Sequence, residues 1–389
     1  MLDLLRLCAA LAVVAYQYTA FRHEAFGVRT DRVFPTVSQY TGLGALGVQL
    51  FFIISGFVIM MSLWGRSIQD FTASRVARLF PAYWVAVICT GLMMVTLKPA
   101  ILEGIYGETK LSDAIANLTM VQAALGVENL DGVYWTLFAE FRFYVLVGLL
   151  SLAGLTRGRV MAFAFLWPVL GELANSASSP LAAALLGGRH AAFFAAGMVI
   201  YLMYREGQSL ILWLLLGMQW AFAMRHAGTD LVGAINNNTG QGYAPETAMA
   251  AVTLAFVAVL VATLTRLSDL SWRWMSFAGG LTYPLYLVHE NWGWAIISAL
   301  HEVLGQWAAL ASAFAFVLCA SVAIHLFVER PLGPRIRRAV RAGLESPPAS
   351  SRPQSTPAAG RSAGSALPVH GDGAHPTRRS VVRDPVPTP

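Results

Sequence analysis

Charge is what this sequence has least of. Asp, Glu, Lys and Arg make up 12% of the 389 residues, against about 25% in ordinary soluble domains. That shortage argues against a chain solvated on all sides. Cysteine is also scarce. Cys8, Cys89 and Cys319 are the three, each inside a long apolar run, and their spacing fits neither a disulfide framework nor a thiolate metal site. We read them as small core residues and expect no metal. No basic stripe interleaved with aromatics is present, so the net charge of +6 points to no nucleic-acid partner. No small-residue cleavage site follows the first apolar run, which is therefore expected to remain in the mature chain. No internal repeat is visible, which argues against the inverted halves of many secondary transporters. Asn117-Leu118-Thr119 matches a glycosylation acceptor, a pattern too short to carry weight.

What is present is apolar and comes in blocks. Hydrophobic residues are 56% of the chain and mean hydropathy is +0.57. About 20 helical residues cross about 30 Å of hydrocarbon. About ten such runs can be drawn, at 3–21, 44–64, 79–97, 133–155, 160–174, 187–204, 208–224, 247–264, 278–300 and 306–328. The fifth and seventh are the shortest. The segment 112–126 is apolar but too short to cross, and is expected on the surface.

Arginine placement orients the stack. One set of connections holds Arg66, Arg75, Arg78, Arg157, Arg159, Arg205, Arg266 and Arg273, then the cluster Arg330, Arg335, Arg337, Arg338 and Arg341. The alternate loops hold Arg22, Arg29, Arg32, Lys98, Lys110 and Arg225. Positive charge favours the cytoplasmic side. The expectation is an all-α integral membrane protein, a multi-pass bundle of about ten transmembrane helices in the cell membrane with both termini cytoplasmic. Residues 1–332 form the membrane domain and 333–343 a basic cytoplasmic segment. Residues 344–389, rich in Ser, Pro, Ala, Gly and Arg, bury too little apolar surface to offset ordering and are expected to be a disordered tail.

Against this background the polar residues at membrane depth stand out. An ionisable group there costs roughly 2.5–3.5 kcal/mol on insertion scales and marks a functional site or a structural pair. Glu140 and Arg142 lie in the fourth run. Thr136, Glu140 and Tyr144 share one helical face, and Arg142 points away from it. Thr282, Tyr286, His289 and Gly293 make a second stripe, Arg6, Ala10, Val13 and Gln17 a third, and Gln49, Phe52 and Gly56 a fourth. Ser55-Gly56 permits close approach of another helix. Arg75 and Arg78 are three apart at the cytoplasmic edge. They either enforce topology or offer paired guanidiniums to phosphate. His289 is either a packing histidine or an acid–base group, and Trp135 either an interfacial belt residue or part of a site. A carboxylate, an imidazole, an amide and two arginines inside a bundle suit transfer of a group from a phosphorylated donor.

Six segments, in order, resemble the acyltransferase-3 family of membrane acyltransferases. They are LDLLRLCAALAVVAYQY (2–18), GVQLFFIISGFVI (47–59), SRVARLFPAYW (74–84), VYWTLFAEFRFY (133–144), LTYPLYLVHENWG (281–293) and FVERPL (327–332). The resemblance implies a ten-helix fold that transfers an acyl group, usually acetyl, from acyl-CoA. The acceptor is a hydroxyl of a carbohydrate, a lipid-linked sugar or a glycosylated natural product. The reaction implied is O-acetylation, with no bound cofactor. It assigns CoA contact to Arg75 and Arg78, catalytic or orienting roles to Glu140 and His289, and supporting roles to Trp135, Tyr144 and Tyr286. Glu329, Arg330 and Pro331 match a late family motif.

The sequence departs from the family at two positions. Gln17 stands where a first-span histidine is expected as base, and Gln49 where Asp is common. Glutamine takes no proton near neutral pH. Three outcomes stay open: the base has moved to Glu140 or His289, with Gln17 binding near the hydroxyl; catalysis is lost; or the chain is a transporter or flippase with a proton-coupling carboxylate. His23, six residues beyond Gln17, lies on another face.

Overall fold

The computed structural model describes residues 1–107, 109–177, 182, 185–270 and 272–345. Among these there are helices and turns and no strand, as hydrocarbon demands: a helix satisfies its backbone N–H and C=O groups within one segment. We number the long helices α1 (Leu2–Thr19), α2 (Gly47–Leu63), α3 (Ile68–Leu92), α4 (Tyr134–Leu152), α5 (Arg157–Ser176), α6 (Gly188–Glu206), α7 (Leu210–His226), α8 (Pro245–Leu264), α9 (Arg273–Leu304), α10 (Gln306–Ile324) and α11 (Arg330–Glu345). Residues 1–346 form one compact unit.

Among the described residues seven stretches are long and apolar enough to cross a membrane: Leu2–Thr19, Val37–Leu63, Ile68–Leu97, Tyr134–Leu152, Leu210–Thr239, Pro245–Leu264 and Gln306–Glu345. They contain α1, α2, α3, α4, α7, α8 and α10. The runs expected at 160–174, 187–204 and 278–300 are helical too, as α5, α6 and α9. Polar residues dilute their hydropathy: Arg157, Arg159 and Glu172 on α5, Arg189, His190 and Arg205 on α6, and His289, Glu290 and Asn291 on α9.

The most enclosed helix is α6, on which every residue from Ala191 to Met203 is buried. Its small residues let neighbours come close. A Cβ added at Gly197 would lie 2.1 Å from the Ile53 carbonyl oxygen, and one at Gly56 2.1 Å from that of Phe194. The α2–α6 crossing is thus made by two glycines back to back, the approach that Ser55-Gly56 leads one to expect. The cysteines differ from expectation. All three are exposed, on outward helix faces rather than in the core, where a small polarisable side chain is equally at home against lipid.

Connections at one end of the bundle touch one another. The Met1 ammonium donates to the Leu270 carbonyl (3.2 Å), Arg157 Nη2 donates to Ser209 Oγ (3.0 Å), and Arg341 of α11 pairs with Asp70 (2.8 Å). At the opposite end the Arg22 amide donates to the Asn238 carbonyl (2.7 Å), Tyr243 Oη to the Ser38 carbonyl (2.9 Å), and Phe34 packs on Trp307 with ring centroids 4.8 Å apart. No residue of α11 is buried, so the basic segment 333–343 is a surface helix. The expected tail begins with its last two residues, and 346–389 lie outside the described residues.

The segment 109–133 closes that opposite end. Asn117, wholly buried, donates through Nδ2 to the Asp113 and Glu128 carbonyls (2.8 and 3.0 Å) and accepts from the Leu130 amide (2.9 Å). The glycosylation-like asparagine is a loop clamp. It fixes the residues that lead into Asp131, Gly132 and α4.

Candidate active site

Five helices, α1, α2, α3, α4 and α9, bring their polar stripes together around two cavities. The first, of about 390 Å³, is lined by Arg6, Ser55, Arg75, Arg78, Glu140, Tyr144 and Tyr286 among others. The second, of about 290 Å³, is lined by Gln17, Gln49, Trp135, Tyr286 and Glu290 with the apolar Phe21, Leu231 and Ile235. Val48 and Tyr286 line both, so the cavities are neighbours that meet at these two side chains. α1 runs beside the pair. Arg6 and Gln17 are eleven residues apart, about 16 Å along the helix, and each faces a different cavity.

The first cavity is cationic. Arg75 and Arg78 follow the N-cap of α3, where Ser67 Oγ accepts from the Asp70 amide (3.1 Å). Their i, i+3 spacing puts both on the cavity face. Arg75 lies over the Tyr144 ring and Arg78 over the Tyr283 ring, each 5.9 Å from the centroid. Arg6 adds a third guanidinium, 3.6 Å from Asp3. Opposite them, Glu140 Oε1 accepts from Ser55 Oγ (2.8 Å) and Tyr144 Oη (2.5 Å). Three guanidiniums against Glu140 and the Asp3 beside Arg6 still leave a net positive wall suited to a polyanion. Arg142 faces away, over the Phe138 ring at 5.6 Å.

The second cavity offers hydrogen-bond acceptors. Gln17 is 8% exposed and Gln49 3%, and the Oε1 of each has no hydrogen-bond partner. Gln17 Nε2 donates to Glu290 Oε2 (2.9 Å). Tyr106 Oη donates to Glu290 Oε1 (3.1 Å) and accepts from the Gly132 amide (3.0 Å). A Cβ at Gly132 would sit 2.2 Å from Glu290 Oε1, so the loop passes close only because that residue is glycine. Trp135 packs on His190, with centroids 5.2 Å apart. Behind the carboxylate lies a second buried one, Asp131, which accepts from the Val133 amide (3.2 Å) and the Asn291 amide (3.3 Å). Burial pushes the Asp131 carboxyl up to about 7, against the pull of those two amides. Burial likewise raises the Tyr106 phenol well above its usual range.

Of the residues expected from sequence, Arg75, Arg78, Glu140, Tyr144 and Tyr286 line the first cavity, and Gln17, Gln49, Trp135 and again Tyr286 the second. His289 lines neither. Its ring is fully buried against Tyr286, with centroids 5.5 Å apart, and its Nδ1 lies 2.9 Å from the Tyr286 carbonyl. The reason is helical phase: from Tyr286 the cavity face continues at i+4, which is Glu290, and not at i+3. His23 Nε2 turns back to within 3.0 Å of the Gln17 carbonyl, outside both cavities, and burial holds its imidazole down at about 3. Glu329 pairs with His325 (2.7 Å), also away from the cavities. Sequence reading passed over Glu290, Tyr106 and Asp131. The Thr282–Tyr286–Glu290 spacing repeats that of Thr136–Glu140–Tyr144 and could have marked Glu290. Nothing local marks Tyr106 or Asp131. Among the described residues no group of three or more His, Cys, Asp or Glu is arranged to hold a metal ion.

Comparison with known sequences bears on what this arrangement does. The sequence model of the family described as "Acyltransferase domain" matches residues 1–326. Acyltransferase MdmB of Streptomyces mycarofaciens is 28% identical over 146 residues, 36% of this chain and 36% of that protein, so the match spans about a third of the length of each. Exopolysaccharide production protein ExoZ of Rhizobium meliloti (strain 1021) is 28% identical over 338 residues, 78% of this chain and 94% of that protein. No solved structure matches.

Proposed function

The chain belongs to the acyltransferase-3 family and is an acyltransferase, and from that premise we propose that it moves an acyl group, acetyl in the first instance, from acyl-CoA to a hydroxyl of a carbohydrate or glycosylated natural product. The single observation that carries this reading is the pair of cavities meeting at Tyr286, cationic on one side and lined by amide and carboxylate oxygens on the other. Acyl-CoA is a substrate here, and no resident cofactor is needed.

The donor occupies the first cavity. Arg75, Arg78 and Arg6 bind its phosphates, and the thioester end reaches toward Tyr286. Glu140, tied to Ser55 and Tyr144, balances and orients the guanidiniums. The acceptor occupies the second cavity. Two buried amide oxygens without donors, on Gln17 and Gln49, suit neighbouring sugar hydroxyls, which carry the protons those oxygens lack. Tyr16, Phe21 and Trp135 offer apolar faces for the ring carbons. A carbohydrate acceptor is also consistent with ExoZ being an exopolysaccharide production protein. Tyr286, positioned by His289 behind it and by Thr136 Oγ1 3.1 Å from its hydroxyl, stands where thioester and hydroxyl meet.

We place the whole as ten spans in the cell membrane with both termini cytoplasmic. The grouping of the connections supports this. Those rich in arginine touch one another at one end, and the arginine-poor ones touch at the other. The first cavity would then open toward cytoplasmic acyl-CoA.

The test is donor affinity. Charge-assisted hydrogen bonds are worth about 1.5–3 kcal/mol each, so Arg75→Ala and Arg78→Ala should each raise the KM for acetyl-CoA by roughly tenfold or more. The KM for the acceptor should hold. Unchanged acetyl-CoA affinity in the double variant would remove the donor from this cavity.

A further inference from the structure

We propose that Glu290 is the general base of the transfer and that Gln17, at the position of the family's histidine, is its positioning partner. This rests on the acyl-transfer reading of the two cavities. Gln17 Nε2 can only donate, and it donates to Glu290 Oε2 at 2.9 Å. Tyr106 Oη donates to the other oxygen at 3.1 Å. Two donors, one on each oxygen, fix the carboxyl plane and favour the form that accepts on both, the carboxylate. Each carboxylate oxygen keeps a further acceptor site, and Glu290 lines the acceptor cavity.

The rival bases fail on geometry. His289 and His23 line neither cavity. Glu140 lies in the donor cavity among the guanidiniums, with Oε1 occupied by Ser55 and Tyr144. His190 and His226 line neither cavity, and His226 Nδ1 is taken by Asp230 at 2.8 Å. Asp131 sits behind the loop and holds the Val133 and Asn291 amides. Glu290 is left as the one proton acceptor on the acceptor side among the described residues.

The step balances without a further reactant. The acceptor hydroxyl gives its proton to Glu290, and its oxygen forms a bond to the acyl carbonyl carbon. The carbon–sulfur bond then breaks, and CoA leaves as thiolate. The proton held by Glu290 ends on that sulfur, which restores the carboxylate. The Oε1 of Gln17, without a partner, accepts from a second hydroxyl of the same acceptor and aligns the first on Glu290.

The full-length protein in membranes tests this, given labelled acetyl-CoA and a lipid and glycan extract, with alkali-labile label in the extract as readout. The set is wild type, Glu290→Gln, Gln17→His and the Gln17→His/Glu290→Gln double variant. Acetyl-CoA binding to each, by calorimetry, reports an intact fold. General bases contribute about 100-fold or more, so Glu290→Gln should lose transfer by at least that factor while acetyl-CoA binding is unchanged. The double variant should recover at least about tenfold over Glu290→Gln, because an imidazole at position 17 takes over the proton. A merely structural Glu290 predicts no such rescue. Wild-type transfer by Glu290→Gln overturns the proposal, and so does a Glu290→Gln loss that Gln17→His leaves unrelieved. Absence of transfer from both wild type and Gln17→His overturns the acyl-transfer reading itself.

Discussion

A single amide decides how the chemistry is divided. Gln17 cannot hold a proton, and in the proposed reaction Glu290, to which it donates, takes that role. The same logic applies to Tyr286, the aromatic wall between the two cavities. Tyr286→Phe keeps that wall and should retain most transfer. Tyr286→Ala opens one cavity into the other, and water should then compete with the acceptor. Thiol release from acetyl-CoA should outrun label incorporation in Tyr286→Ala and match it in wild type; equal rates in both would show that Tyr286 does not separate the substrates. At this scale the sequence was partly legible. Glu140 and Gln17 stood out because charge or amide at membrane depth is costly, and Arg75 and Arg78 because two guanidiniums three apart at the cytoplasmic edge suit phosphate. Glu290 did not, because His289 beside it draws attention as the usual proton carrier near neutral pH. Only its phase relative to Tyr286 shows which of the two faces the cavity. Asp131 reaches the site on a loop held by the Asn117 clamp and Tyr106 from the end of the short helix Ala100–Tyr106, and no spacing announces either.

Helices are legible where composition is extreme and less so where a helix is central. α6 is buried along nearly its whole length; the sequence marks it as the run 187–204, yet its charged ends keep it out of the stretches apolar enough to qualify by hydropathy alone. What holds it in the centre is the Gly56–Gly197 contact with α2. Gly197→Leu would force the helices apart, and overpacking of this kind costs about 1–3 kcal/mol or more. Its melting temperature in detergent should fall several degrees, and a wild-type value would contradict the packing. His23 ties the turn after α1 to α9. Its ring lies tilted against Trp294 with centroids 5.0 Å apart, Nδ1 accepts from the Ala25 amide at 3.1 Å, and the imidazole is held neutral, down at about 3. The folded value lies below the ordinary 6.5 or so. The stability from neutral His23 is therefore complete above pH 6.5 and is lost as pH falls toward 3. Between pH 7.5 and 5 the loss is at most about 2 kcal/mol. His23→Gln should flatten the fall in thermal stability over that window; an unchanged slope would show that His23 is not the titrating group.

The arrangement of the whole molecule follows from arginine. The sequence placed one arginine-rich set of connections on one side, and those connections do meet at one end of the bundle. Hydropathy alone qualifies seven stretches among the described residues; α5, α6 and α9 carry the polar groups that a protein interior accepts and a lipid face does not. Orientation can be read with impermeant maleimide after Cys8, Cys89 and Cys319 are replaced by Ser. Tyr40→Cys, at a position 78% exposed on the arginine-poor end, should label on intact cells. Arg337→Cys on α11 should label only after permeabilisation. The reverse pattern would put the donor cavity on the wrong side of the membrane.

The most direct measurement of the central claim is transfer of label from acetyl-CoA, in membranes containing wild type or the Arg75→Ala/Arg78→Ala variant, to a lipid and glycan extract. The account predicts alkali-labile label in the glycan fraction with wild type and little with the variant at low acetyl-CoA, recovering as acetyl-CoA is raised. Substrate flux across sealed vesicles that needs no acyl-CoA, with no label transferred at any concentration, would contradict it.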